Sequence, residues 1–306
     1  MFKGRKVGQW GLDPMTFLCN LCGLRDEKLD DAHSNTEEPM AEAKRVFAFG
    51  AHPDDVEFMM AGTLILLKQA GYEPHIMTVA NGSCGTAQHT REEIIEIRRE
   101  EARAAAAVIG ATYHPGIVDD IQIYHEPALA SKIGAIIREV NPEIVLVPSL
   151  QDYMEDHQNT ARLVVTALFC KGMRNFPTDP LKPPVTGDSF LYHALPYGLR
   201  DGLRRRVIPE SYVNISDVIE IKQQMLACHK SQKEWLDVSQ GLDAYLTTIR
   251  DMSAEVARMS GQGWVYAEGW RRRLHLGFSE KDEDRLAEVL EDRLVMNPHY
   301  QDQLSV

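Results

Sequence analysis

From Lys44 onward the sequence alternates short apolar runs with longer segments of helical period, and this alternation constrains the fold more than any other feature. RVFAFGAH (45–52) reads as a strand, Val56 to Gln69 as a helix, PHIMTVA (74–80) as a strand and Arg91 to Ile109 as a long helix. ATYHPGIV (111–118), Ala128 to Val140 and EIVLVPS (143–149) repeat the order. Strands joined through helices pair in parallel and bury both faces. The pattern therefore predicts the α/β class: a Rossmann-like, mainly parallel sheet with helices on both faces. After Pro180 the regularity declines; a strand near FLYHAL, a helix over Asp217 to Trp235 and further helices predict C-terminal helical and β additions from about residue 216. In SEKDEDRLAEVLEDRLVM (279–296), Leu286, Val289, Leu290 and Leu294 are spaced along one face of a closing helix.

Composition limits what such a fold can bind. The chain has 306 residues, 44% hydrophobic and 25% charged, enough for a sizeable core. Its formal net charge of −12 argues against a nucleic-acid partner, which needs a basic footprint, and favours small molecules. No apolar run approaches the roughly 20 residues of a membrane span. Met15 to Leu24 is short and interrupted by Asn20, so the reading is cytoplasmic. Residues 24–43 are rich in acids and poor in large apolar groups, a composition that does not offset its ordering entropy. Residues 1–43 thus read as a flexible extension and 44–306 as a single domain. The five cysteines form no framework; Cys19 and Cys22, spaced C-x-x-C, are half a zinc site and read as two free thiols.

In open α/β sheets ligands gather outside the carboxyl ends of the strands. Two polar clusters fall there, AHPDDVE (51–57) and QDYMEDHQNT (151–160), each after an apolar strand and each opening a helix. Alone, HPDD reads as a turn and a helix cap. Together the clusters supply His52, Asp55 and His157, two imidazoles and a carboxylate. Three protein ligands are the number a catalytic metal takes when one position is kept for water, and the metal lowers the water's pKa. Asp54 then accounts for the doubled carboxylate: one aspartate ligates, while its neighbour accepts the water's proton and passes it to a leaving amine.

These residues resemble the LmbE-like, or PIG-L, de-N-acetylases, zinc-dependent enzymes that remove acetyl groups from N-acetylglucosamine-type substrates. The resemblance covers most of Arg45 to Gly277, anchored on AHPDDVE, on RREEARAAAAVIGA with Arg98 and Glu101, on DHQNT (156–160), on Lys222 with HKSQ (229–232) and on AEGW (267–270). It implies zinc ligands at His52, Asp55 and His157, a general base at Asp54, a homo-oligomer, and an N-acetylated sugar or sugar conjugate as substrate. It also implies a substrate contact at Arg98, against which stands pairing with glutamates along an acidic, arginine-rich helix. Asp156 is placed to orient His157, as a metal-bound imidazole requires.

One departure stands out. Where the family commonly has H-P-D-H, with the first histidine holding the oxyanion, this chain has Met154-Glu155-Asp156-His157, and a thioether donates no hydrogen bond. Either zinc alone polarises the carbonyl, or another histidine enters, His193 in LYHALP or His229 in HKSQ. Trp264 and Trp270 are candidates for a wall against a sugar ring or for core packing, and GSCGT (82–86) for the pocket lining; GSCGT lacks the lysine and spacing of a phosphate loop. The expected activity is N-deacetylation. The alternatives are an amidase acting on a larger conjugate, a non-haem iron oxygenase using the same two histidines and carboxylate, and a binding protein with an impaired site. Asp54 and the βα order favour hydrolysis.

Overall fold

The computed structural model describes residues 43–233 and 245–304. The expected N-terminal extension, Cys19, Cys22 and the end of the helix expected up to Trp235 lie outside the described residues. The elements run β1 (Arg45–Gly50), α1 (Asp55–Met59), α2 (Ala61–Gln69), β2 (Glu73–Thr78), α3 (Arg91–Val108), β3 (Thr112–His114), α4 (Pro127–Val140), β4 (Ile144–Val147), α5 (Glu155–Phe169) and β5 (Phe190–Ala194). Then follow β6 (Ser211–Asn214), α6 (Ile219–Leu226), α7 (Tyr245–Ser260), β7 (Ala267–Arg272), α8 (Arg285–Leu290), β8 (Leu294–Met296) and α9 (Pro298–Leu304).

Among the described residues these strands form one eight-stranded sheet, ordered β3-β2-β1-β4-β5-β7-β6-β8. From β3 to β5 every pairing is parallel, whereas β7, β6 and β8 add on antiparallel. Side-chain alternation divides the core between the two faces. Val46 and Ala48 of β1 pack with α2 and α6, while Phe47 and Phe49 pack with α4 and α5. The expected α/β sheet with helices on both faces is observed, and it is mixed because of its C-terminal additions.

Strand β1 pairs with β2 on one side and β4 on the other, so the chain leaves the sheet centre in opposite directions from these neighbours. This is the topological switch point, where diverging loops open a crevice at the carboxyl ends of the strands. Both polar clusters of the sequence emerge into it.

Several boundaries differ from the sequence reading, each for a local reason. The helix expected over Val56 to Gln69 breaks at Met60 (φ −134°). The second piece starts on a buried acceptor: Glu268 takes hydrogen bonds from the Gly62 and Thr63 amides at 2.8 and 2.7 Å and from Lys222 Nζ at 2.6 Å. A Cβ at Gly62 would meet Glu268 Oε1 at 2.9 Å, so glycine admits this carboxylate. The strand expected over 111–118 forms a continuous ladder at Thr112–His114 and returns to the sheet as a single parallel bridge between Val118 and Ala80. The closing helix expected up to Met296 ends at Leu290, because Glu291 adopts φ 47° and Leu294 enters β8 at the sheet edge. No helix among the described residues is long and apolar enough to cross a membrane.

Candidate active site

The loop after β1 turns directly into α1. Asp55 opens that helix, and its Oδ2 accepts the backbone N–H groups of Ala51 and His52, both at 2.8 Å. This closes the turn and leaves Oδ1 facing His157 Nε2 at 3.4 Å. Gly50 makes room, since a Cβ there would lie 2.9 Å from that of Asp55. Asp54, immediately before, is held at φ 110°, a left-handed conformation that costs a non-glycine residue strain and is found at functional turns. The turn thereby sends two neighbouring carboxylates in different directions.

Each histidine is fixed through its far nitrogen. His52 Nε2 meets Asp156 Oδ2 at 2.9 Å, and His157 Nδ1 meets Asp152 Oδ1 at 3.0 Å. The orienting role expected of Asp156 toward His157 is therefore corrected: Asp156 sits one residue before His157 on α5 and points across to His52, also accepting the Ile121 amide at 2.7 Å. Asp152, four residues before Asp156, orients His157. With those nitrogens engaged, one donor atom from each of His52, Asp55 and His157 converges to within 4.8 Å of the others. The donor set fits a divalent cation. Three carboxylates surround two imidazoles, and without a cation the charge is met by a proton: burial would lower the pKa of His157, but Asp55 and Asp152 raise it well above the ordinary value. Burial would likewise raise the Asp55 carboxyl, yet His157 and His52 hold it well below the usual range.

Asp54 lies beside this cluster in different surroundings. Its Oδ2 accepts the Tyr245 hydroxyl at 2.7 Å and its Oδ1 lies 3.8 Å from Arg98 Nη2. Burial raises its pKa, and the charge of Arg98 and the Tyr245 hydrogen bond only partly offset this. Arg98 is 3% exposed and donates to the Pro53 carbonyl at 2.5 Å, so it braces the HPDD turn from behind. It passes over the GSCGT loop, where a Cβ at Gly82 would come within 2.5 Å of the Arg98 side chain. Arg98 pairs with no glutamate of its own helix among the described residues.

A cavity of about 320 Å³ opens above these groups, walled by Asp54, His157, Tyr153, Tyr197, Tyr245 and Met154 among others. Cys84 and Gly85 of GSCGT line it as expected. Neither His193 nor His229, the histidines expected to replace the missing oxyanion donor, lines this cavity. His193 turns Nδ1 to the Pro148 carbonyl at 3.0 Å and faces a different cavity. His229 is buried behind Asp54, its Nε2 3.4 Å from Glu57 Oε1. Both tryptophans are packing residues: Trp270 is fully buried with Nε1 donating to Thr63 Oγ1 at 2.9 Å, and Trp264 packs against the cluster around Leu195 and Val256. Asp152, Tyr153, Tyr197 and Tyr245 were not singled out from sequence. Asp152 stood within the quoted QDYMEDHQNT, but only the fold brings Tyr245 to Asp54.

The GlcNAc-PI de-N-acetylase (PIG-L) family model matches residues 47–168. The chain is 28% identical over 240 residues to a diacetylchitobiose deacetylase of Thermococcus kodakarensis, covering 76% of this chain and 85% of that one. It is 25% identical over 241 residues to a 4-oxalmesaconate hydratase of Pseudomonas putida, covering 74% and 88%. Among solved structures, the N,N′-diacetylchitobiose deacetylase of Pyrococcus horikoshii superposes with a TM-score of 0.63 at 22% identity, over 82% of this chain and 91% of that one. The matched stretch carries His52, Asp54, Asp55 and His157: residues 47–168 are a domain of the PIG-L, or LmbE-like, family.

Proposed function

We propose that this protein is a metal-dependent N-deacetylase acting on an acetylated amino sugar. The observation that carries the reading is the convergence of His52, Asp55 and His157 donor atoms within 4.8 Å, next to a separate buried carboxylate, Asp54, that takes no part in the cluster. A divalent metal, for which we propose zinc, would be held by those three side chains and would supply Lewis acidity to a water and to the amide carbonyl. Asp54 is the proton carrier. Its raised pKa suits a group that takes a proton from the attacking water and returns it to the departing amine. Tyr245 and Arg98 hold it in place without occupying both oxygens fully. Tyr153, whose ring meets His157 edge-on with centroids 5.6 Å apart, is the neutral hydroxyl donor we assign to the carbonyl oxygen in place of the absent histidine.

The cavity's charge narrows the substrate. Among the described residues lining it, Arg98 is the single Lys or Arg, and it is buried against Pro53, whereas Asp54, Asp55, Asp120 and Asp152 all line the walls. Beyond the metal, a substrate bearing a phosphate or carboxylate would find no Lys or Arg free to pair with it among the described lining residues, so we propose an uncharged acetylated sugar. The same observation weighs against a hydration reaction like that of the P. putida relative, whose named substrate is an oxalmesaconate. An oxygenase would have no use for Asp54.

The test is amine release by the zinc-loaded protein from N,N′-diacetylchitobiose and N-acetylglucosamine beside N-acetylglucosamine 6-phosphate. Turnover of the neutral sugars, with the phosphate poorer by about tenfold or more, is expected. Absence of amine release from all three, or preference for the phosphate, would contradict the proposal.

A further inference from the structure

A second cavity, about 600 Å³, lies on the sheet face covered by α5, and its walls carry the opposite charge from the chain as a whole. Arg271, Arg272 and Arg273 line it, and no aspartate or glutamate among the described residues does. Strand pairing explains the cluster. His193 of β5 is directly opposite Arg271 of β7, so their side chains share a face, and Arg273, two residues on, returns to that face.

The arginines are not equally committed. Arg272 pairs with Asp282 at 2.7 Å. Arg271 spends Nε on the Ile208 carbonyl and Nη1 on Gln151 Oε1, both at 2.6 Å, and its guanidinium lies over the Tyr300 ring. The Arg273 guanidinium lies 5.8 Å over the Phe278 ring. Neither Arg271 nor Arg273 forms an ion pair among the described residues. His193 is 6% exposed; Nδ1 is turned to Pro148, and Nε2 is buried with no hydrogen-bond partner among the described residues. A ring that donates from Nδ1 presents Nε2 as an acceptor, and a buried acceptor left unpaired is costly. Around these polar groups stand Phe169, Leu274 and Leu276, the two leucines 63% and 62% exposed.

We propose that this cavity binds a small organic oxyanion, a carboxylate or phosphate monoester, that also carries a hydroxyl and an apolar body. The acid group meets Arg271 and Arg273, the hydroxyl donates to His193 Nε2, and the body lies on Phe169, Leu274 and Leu276. None of these residues belongs to the candidate metal site.

Calorimetric titration of the full-length, metal-loaded protein tests this with benzoate, the three monohydroxybenzoates, phenyl phosphate and benzyl alcohol. At least one hydroxybenzoate should saturate a single site more tightly than benzoate, and benzyl alcohol should not bind. Phenyl phosphate against benzoate reads which acid group is preferred. Arg273→Gln, at a guanidinium that makes no hydrogen bond among the described residues, should weaken every acid by about tenfold or more. His193→Phe should erase the hydroxyl preference and leave benzoate. The proposal is overturned if no acid saturates, or if Arg273→Gln binds as tightly as the parent, which would place the acids at the metal. A changed sedimentation mass for Arg273→Gln without acid binding by the parent would assign the face to a second copy of the chain, and overturn it equally.

Discussion

The Tyr245 hydroxyl donates to Asp54 Oδ2 at 2.7 Å, joining helix α7 to the loop after β1 across 191 positions of sequence. This contact fixes the rotamer of the proposed proton carrier while leaving Oδ1 toward the cavity and Arg98. Tyr245→Phe keeps the ring, which packs edge-on against Phe58 at 5.2 Å between centroids, and removes only the hydroxyl. The expected result is a fall in kcat of about tenfold, as for loss of one hydrogen bond to a charged group, with KM and bound metal little changed. Steady-state kinetics with metal analysis measure both.

The two orienting aspartates should separate from Asp54 by their effect on metal. Asp152→Asn loosens His157, and Asp156→Asn loosens His52 and the Ile121 loop. Each should weaken metal affinity about 10- to 100-fold, the usual cost of losing a carboxylate behind a ligating imidazole. Competition with a chromogenic chelator reads this directly; unchanged affinity in both would show that the carboxylates are not tuning the ligands.

Glu268 and Lys222 test the frame rather than the chemistry. Their 2.6 Å ion pair is buried, at 3% and 1% side-chain exposure, and the same carboxylate receives the start of α2. Lys222→Met leaves an uncompensated carboxylate, and a loss of about 3–5 kcal/mol is expected in denaturant unfolding. Stability within 1 kcal/mol of the parent would contradict the packing described.

His193 gives a pH prediction. Burial lowers its pKa to about 4, against a partly opposing hydrogen bond to the Pro148 carbonyl, while an unfolded histidine titrates near 6.5. Between those values the unfolded chain binds a proton that the folded chain refuses, so this contribution to stability is complete above pH 6.5 and is lost as pH falls toward 4. The loss is on the order of 3 kcal/mol at full extent. His193→Gln keeps a donor for Pro148 and should flatten the decline of Tm over that window; an unchanged slope would contradict it.

Much of this was legible in the sequence, for physical reasons. The βα alternation and the apolar runs specify a parallel sheet because a strand buried on both faces tolerates little else, and HPDD with the later DH lies at strand ends, where that sheet must place a ligand. What resisted reading depended on long-range geometry. Asp156 and Asp152 both precede His157 closely, and only the crossing of α5 over the β1 loop decides which imidazole each one holds. His193 and His229 carry the right side chain on the wrong face: alternation along β5 turns His193 toward α5, and Glu57 draws His229 behind Asp54. The break at Met60 follows from Glu268, more than two hundred residues away, acting as the acceptor that α2 starts on. No local pattern encodes that.

The central claim is that Asp54 moves the proton while its neighbour Asp55 helps hold the metal. The direct measurement is amine release from N,N′-diacetylchitobiose by zinc-loaded Asp54→Asn, with zinc content determined on the same sample. Zinc at the parental level with turnover reduced about 10²- to 10⁴-fold is the expected outcome, the usual cost of removing a general base. Turnover close to that of the parent, or loss of the zinc itself, would contradict the division of labour between these two adjacent carboxylates.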